Sequence, residues 1–538
     1  AGGQKSALGA STAEKGNLQL NGGTLVLSKD NMGTDRQITL TDTATIKITQ
    51  SNSALSLKGQ VSGTGYLVKD GAGQLNFTYG GTNSFAGLIV KKGKVAQGAW
   101  NATFGKSGSP MLLAGGEVHQ IDVNSTSTVP TFNHVVTVQE GTTNKIVGSS
   151  RGKINGTIKG SGNLTIQTKY VRCDIGAGFS QFEGQLTAQG DGGNFRLMQN
   201  VTDMSKTRLV VAASTTVSHV ASGGSGEVAA TLKIGALSGT ATDAVLGGSQ
   251  SNYQVGYLNS DTRFAGLLKC ARLTKVGTGK LTLTTAGHTA PITVNDGTLE
   301  LSNSGTTVFS SGAITVTGSG ILQGNALLSA ATIANGGTLT AGVNGNVGTL
   351  RLNDALRLNS GGILLCKLSA TGNDKFTVKG AITHNGDTLL IRVPAGRKLN
   401  VGDELTIFTT GFTSATGEPV VKCEAESFTY EFDTSSLNTD GKIRVTKIIA
   451  VSKQGDVNGD GIIDIADIAA IISVMASATD PHSGTDPAAT VGSGSATAAD
   501  VNGDGIVDVA DISSVIAVMA ANSRYGKNSD MDRLSRRL

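Results

Sequence analysis

Two twelve-residue segments near the C-terminus hold the densest set of side chains able to do chemistry. Asp456, Asn458, Asp460, Asp464 and Asp467 stand at positions 1, 3, 5, 9 and 12 of the first, and Asp500, Asn502, Asp504, Asp508 and Asp511 at the same positions of the second. Each has glycine at position 6, Gly461 or Gly505. A calcium ion takes six to eight hard oxygen ligands at flexible distances, and a glycine midway lets the chain turn sharply around it. The backbone carbonyls of Ile462 and Ile506, at position 7, would add a further oxygen each. Two copies with one spacing predict two bound calcium ions. The four aspartates of each loop repel one another at a few ångströms unless a cation lies between them, so metal binding is expected to be part of folding.

The loops need elements to hold them. After each comes an apolar stripe at helical spacing, Ile468, Ile471, Ile472 and Met475 in the first copy and Ile512, Val515, Ile516 and Met519 in the second. The stripes are expected to pack on each other. Position 12 is Asp rather than Glu, and glycine-rich or small residues stand where an entering helix would precede each loop. In these respects residues 455–521 resemble the type I dockerin, a small α-helical calcium-binding module. The resemblance implies a cohesin-like partner, faced by loop positions 10 and 11, here Ile465, Ala466, Val509 and Ala510. Near-identity of the two pairs would permit binding in either of two orientations related by a half turn. Basic residues often found near the end of each helix in that family are replaced by Ser473-Val474 and Ala517-Val518. A Gly/Ser/Thr/Ala-rich insert, 477–499, reads as a flexible spacer between the copies, and 522–538 as a basic, frayed tail.

The preceding 450 residues have a different character. Of 538 residues 75 are glycine, about twice the usual ~7%, while aromatics are only 4% and charged residues 16%. Few large side chains are on hand for a wide core, but short strands and tight turns stacked in one direction need none. Alternation in Lys280-Leu-Thr-Leu-Thr284 and Leu164-Thr-Ile166 marks strands, and Gly-Gly, Asn-Gly and Asp-Gly pairs mark corners. A longer unit then repeats. Lys69-Asp-Gly-Ala-Gly-Gln-Leu-Asn-Phe77 matches Lys275-Val-Gly-Thr-Gly-Lys-Leu-Thr-Leu283, and Val90-Lys-Lys-Gly-Lys-Val95 or Val294-Asn-Asp-Gly-Thr-Leu299 follows. Gly160-Ser-Gly-Asn-Leu-Thr-Ile166 is a weaker copy.

This pattern resembles the autotransporter-associated β-strand repeat. The resemblance implies an elongated right-handed parallel β-helix (solenoid) over residues 1–450, of a kind found in secreted and surface passengers, with 350–450 as the segment that closes it. No membrane barrel follows, a departure from that family.

Charge is uneven: residues 455–521 contain ten Asp and no Lys or Arg, giving −10, while 522–538 carry +3 and the rest +11 of a total of +4. The basic residues of the body scatter over a large surface, and no nucleic-acid partner is expected. The N-terminus shows no signal-like pattern and no apolar run is long enough to cross a membrane. Cys173, Cys270, Cys366 and Cys423 show no paired spacing, so neither a disulfide framework nor a zinc site is expected.

Parallel β-helices also house polysaccharide lyases and hydrolases, and such chemistry needs two carboxylates facing one groove about 5–10 Å apart. Glu424 and Glu426 are the best local pair, and they read instead as the solvated side of a strand whose inner side is Cys423 and Ala425. Arg392 reads as an outward strand residue, a lone Trp100 as too little for a sugar-stacking platform, and the six histidines have no metal-ligand spacing. The sequence thus predicts a secreted or surface, non-catalytic scaffold or adhesin segment, docked through calcium to a cohesin-like partner. The alternative is the accessory end of a polysaccharide-degrading enzyme, or a β-helix lyase or hydrolase itself, with a cell-surface or plant polysaccharide as partner.

Overall fold

The structure, a computed structural model, describes residues 10, 12–14, 16, 18–122, 129–169, 171–190, 193–221, 226–409, 411–426, 428–450, 454–460, 462–476, 489–490 and 498–521. Contacts group the chain into two compact units. One comprises Ala1–Leu364, Phe376–Thr388 and Gly411–Pro419; the other comprises Leu365–Lys375, Leu389–Thr410 and Val420–Leu538. The grouping parts the chain at several points between 364 and 420.

The first unit is a parallel β-solenoid. One sheet runs from Met32–Thr34 through Ser414–Thr416, each strand pairing in parallel with its counterpart one turn on. A second starts at Thr24–Leu27 and reaches Leu267–Leu268, where sheets that begin at Thr262–Phe264 and Val308–Ser310 take over the other faces. Register explains why small aliphatics suffice as core. Leu55, Leu75, Val95, Val118, Ile146, Ile166, Ala188 and Val211 lie directly over one another and are all buried. Leu273, Ile292, Ile314, Ala331, Leu356 and Ile382 form a second such column further along. One turn cannot bury its inner face alone; the next turn covers it.

The sequence repeat acquires a physical meaning here. Lys69 pairs with Val90 and Leu75 with Val95, as Lys275 pairs with Val294 and Leu281 with Leu299, so the second half of each motif copy lies on the first. The corner between them is tight. A Cβ on Gly93 would stand 2.4 Å from the Gly71 carbonyl oxygen, and one on Gly297 the same distance from that of Gly277; both residues have positive φ.

The motif lysines are buried, with 0% and 2% of their surface exposed. Lys69 Nζ donates to the carbonyls of Asp70 (2.9 Å), Gly71 (2.7 Å) and Lys92 (2.9 Å). Lys275 Nζ donates to those of Val276 (2.8 Å), Gly277 (2.6 Å) and Asp296 (3.1 Å). Each ammonium therefore satisfies two corner carbonyls of its own turn and one of the next. Burial pushes both lysines down to about 8, opposed by Asp70 and by Asp296 with Asp261.

In the second unit, Glu404–Thr406, Lys442–Ala450 and Phe428–Asp433 form an antiparallel three-stranded sheet. Ile465–Ala476 and 509–521 are helices, as the stripe spacing predicts. No helix among the described residues is long and apolar enough to cross a membrane.

Candidate docking and metal site

The two loops are built alike down to single hydrogen bonds. At position 3 the Asn458 side-chain oxygen accepts from Asp460 N (2.8 Å), as that of Asn502 does from Asp504 N (2.8 Å). At position 5 the carboxylates accept from Ile462 N (2.8 Å) and Ile506 N (2.9 Å), and at position 9 from Ala466 N and Ala510 N (2.7 Å each). The carboxylates at position 12 are fully buried. Asp467 accepts from Val457 N (2.8 Å), Asn458 N (3.1 Å) and Asp464 N (2.8 Å), and Asp511 from Val501 N (2.7 Å), Asn502 N (3.0 Å) and Asp508 N (2.8 Å). Asp456, at position 1, is also buried. Asp500 accepts from Gly503 N (2.8 Å) and Gly505 N (3.0 Å). In both loops the side chains at positions 3, 5, 9 and 12 are thus turned toward backbone donors.

Among the described residues no three His, Cys, Asp or Glu side chains converge as a ready metal cluster. The donor set still fits a hard cation. Every side-chain ligand candidate is an oxygen, and no Lys or Arg stands between 455 and 521 to pair with the buried carboxylates, which a hard cation would neutralise.

The helices share a small core of Ile471, Ala499, Val501, Val507 and Val515, with Ile468, Met475, Ile512 and Met519 packed against it. One expectation fails. Ile472 and Ile516, predicted to pack inside, are exposed at 51% and 52%. Adjacent residues on a helix point about 100° apart, so Ile471 and Ile472 cannot both face one small core; it takes Ile468, Ile471 and Met475 and leaves Ile472 on the outer side. Ile465 and Val509, at position 10, are exposed at 76% and 67%, and Ala466 and Ala510 are exposed beside them. The two copies therefore expose aliphatic side chains at the same positions, including Ile462 and Ile506. The insert is not spacer throughout: Ala489–Thr490 pairs antiparallel with Ile506–Val507, and Ala499 is core. Its remainder, 477–488 and 491–497, and the tail 522–538 lie outside the described residues.

Residues 454–533 match the model of the Dockerin type I domain. This segment is a type I dockerin. Such a dockerin is a calcium-binding domain, and it implies a cohesin partner. Elsewhere the chain is similar to the Adhesin BmaC autotransporter of Brucella suis biovar 1 (strain 1330), 32% identical over 197 residues. That stretch is 35% of this chain and 6% of the adhesin, so the chain spans a small part of that relative.

The carboxylates weighed for catalysis are not paired with each other. Glu424 accepts from Arg392 Nε at 2.8 Å, both about half exposed, and the strand Val420–Glu424 ends before Glu426. Glu426 therefore does not share a strand face with Glu424. Four of the described histidines serve locally: His119 lies 2.7 Å from Glu117, His219 binds the Met198 carbonyl, His288 accepts from Leu268 N and His384 contacts Asp387. His482 lies outside the described residues. All four cysteines are free thiols, and burial raises every one of them.

Proposed function

We propose that this chain is a secreted or cell-surface, non-catalytic β-solenoid segment, adhesin-like, held to a cohesin-like partner through its dockerin and two calcium ions. The first ion would be held by Asp456, Asn458, Asp460, the Ile462 carbonyl, Asp464 and Asp467, and the second by Asp500, Asn502, Asp504, the Ile506 carbonyl, Asp508 and Asp511. Calcium supplies the positive charge that the buried carboxylates lack. Residues 350–450 would close the solenoid.

The observation that carries the docking reading is the matched exposure of Ile465 and Val509 and of Ile472 and Ile516. Exposed aliphatics at equivalent positions of a duplicated module have no structural use there, whereas a partner can bury them. Partner contact falls on Ile465, Ala466, Val509 and Ala510, extended along the helices by Ile472 and Ile516. The partner's surface is apolar at its centre. Acidic loops beside these residues favour basic groups at its rim. Either copy can lead, because the two faces are alike.

The test is a binding titration of the whole chain against a panel of cohesin modules with and without a chelator. Calcium-dependent binding that survives Ile465→Asp alone or Val509→Asp alone, and is lost in the double variant, supports the reading. Binding that is indifferent to chelator, or to the double variant, refutes it.

A further inference from the structure

The solenoid has a cavity of about 140 Å³ beside the turns that contain Thr82, Gln97, Phe104, Gln120 and His134. It forms where successive corners lengthen, between the loop 98–109 and the strand Thr131–Val138. Its floor is aromatic. Phe104 and Phe132 meet edge to face at 6.2 Å, and the His134 ring lies 4.9 Å from that of Phe132. Its remaining wall is made of hydroxyls and amides, Thr82, Thr103, Ser107 and Asn133 among them, with no Asp, Glu, Lys or Arg among its described residues.

His134 is 5% exposed, and it touches Ser109 through Nδ1 alone, at 3.1 Å from the carbonyl oxygen and 3.3 Å from Oγ. A carbonyl can only accept, so Nδ1 carries the proton and Nε2 is an acceptor. Nε2 has no hydrogen-bond partner among the described residues. Burial lowers the tendency of the ring to take a second proton and keeps it neutral. The other polar groups keep capacity to spare. Thr103 Oγ1 accepts from Asn83 N (2.9 Å) and retains its own proton to donate. Asn133 gives Nδ2 to Ser107 Oγ at 2.9 Å and keeps its carbonyl oxygen.

We infer that this cavity is a binding site for one uncharged sugar ring, such as the terminal unit of a neutral glycan. Aromatic carbons below and neutral donors and acceptors around match the mixed surface of a pyranose, apolar C–H beside hydroxyls. The absence of charged lining disfavours uronic and sialic acids, which would leave a carboxylate without a cation. Size limits what enters: an apolar cavity of about 150 Å³ admits one benzene, so a sugar inserts one edge of its ring and leaves the rest at the mouth, beside exposed Thr82, Ser107 and Asn133. Trp100, 57% exposed, lies on the same loop as Thr103, Phe104 and Ser107. This site is independent of the dockerin and of any catalytic role.

The experiment is ligand-observed saturation-transfer NMR on the whole chain. Its probes are methyl glycosides of neutral hexoses and N-acetylhexosamines, with glucuronic acid and N-acetylneuraminic acid as charged comparisons. The expected result is transfer to at least one neutral glycoside with millimolar affinity, weakened about tenfold or more in Thr82→Ala/Asn133→Ala, which alters exposed residues, and in Ser107→Trp, which blocks the mouth. Melting curves equal to wild type confirm that both variants fold. Transfer to no neutral glycoside, transfer only to the acids, or transfer unchanged in both folded variants overturns the inference.

Discussion

Replacing Lys275 by methionine removes three hydrogen bonds while keeping nearly all of the apolar stem in place. In the native corner the ammonium serves the carbonyls of Val276, Gly277 and Asp296, and the residue is 2% exposed, so no water takes over when it goes. At pH 7, below the value of about 8 to which burial pushes Lys275, the group is charged. A buried acceptor deprived of its donor costs about 1–3 kcal/mol. Carbonyls tolerate this better than N–H groups, which favours the low end, and three of them give about 3 kcal/mol. The damage should be local, because the Asp296 carbonyl belongs to the next turn and the corner 294–298 hangs on it. Amide exchange at Asn295, which donates to Lys275 O, and at Thr298, which donates to Gly279 O, should accelerate on the order of a hundredfold. Lys69→Met should do the same at Lys91 and Lys94, while Lys47→Met, at a half-exposed lysine, should change stability by less than about 0.5 kcal/mol. Exchange within a factor of about three of wild type at Asn295 and Thr298 would show that the clamp does not hold the corner.

Three further outcomes follow from the same structure. Glu424→Ala with Glu426→Ala should leave melting and any glycan binding unchanged, since Glu424 is tied only to exposed Arg392; loss of an activity in the folded double variant would restore a catalytic reading. His288 is held at about 4 by burial and accepts from Leu268 N, so between pH 6.5 and 4 the unfolded chain binds a proton that the folded one refuses. Its contribution is complete above pH 6.5 and declines as pH falls toward 4, by up to about 3 kcal/mol; a denaturation midpoint whose pH slope is the same in wild type and His288→Gln contradicts this. Ile472→Asp together with Ile516→Asp should leave the module's melting temperature nearly unchanged and weaken partner binding at least tenfold, and a large drop in melting temperature would place those side chains in the core instead.

Much of this molecule was legible because its information is local and repeated. The five-oxygen spacing of each loop reads directly from 456–467 and 500–511, and the dockerin match falls on the same segment. The solenoid was legible from the recurrence of Lys69–Phe77 at Lys275–Leu283, since each turn repeats the same solution to covering the one beneath. What escaped is non-local. Lys69 and Lys275 look like solvated strand residues until the carbonyl from the next turn is in place. Ile472 and Ile516 belong to an apolar stripe broader than the core that receives it, and a spacing argument cannot say which member is left outside. The cavity near His134 joins residues from Thr82 to His134 that share no motif. Glu426 failed as a partner of Glu424 because its strand stops at Glu424.

The central claim is that the docking module takes calcium as part of its fold. Isothermal titration of the metal-stripped whole chain with calcium, followed by calorimetric melting of both forms, tests it most directly. Two ions bound per chain are predicted, one fewer in Asp456→Ala/Asp460→Ala, together with a melting transition of the module that appears only with calcium while the solenoid transition stays put. No calcium uptake, or a module transition unchanged by chelator, contradicts the account.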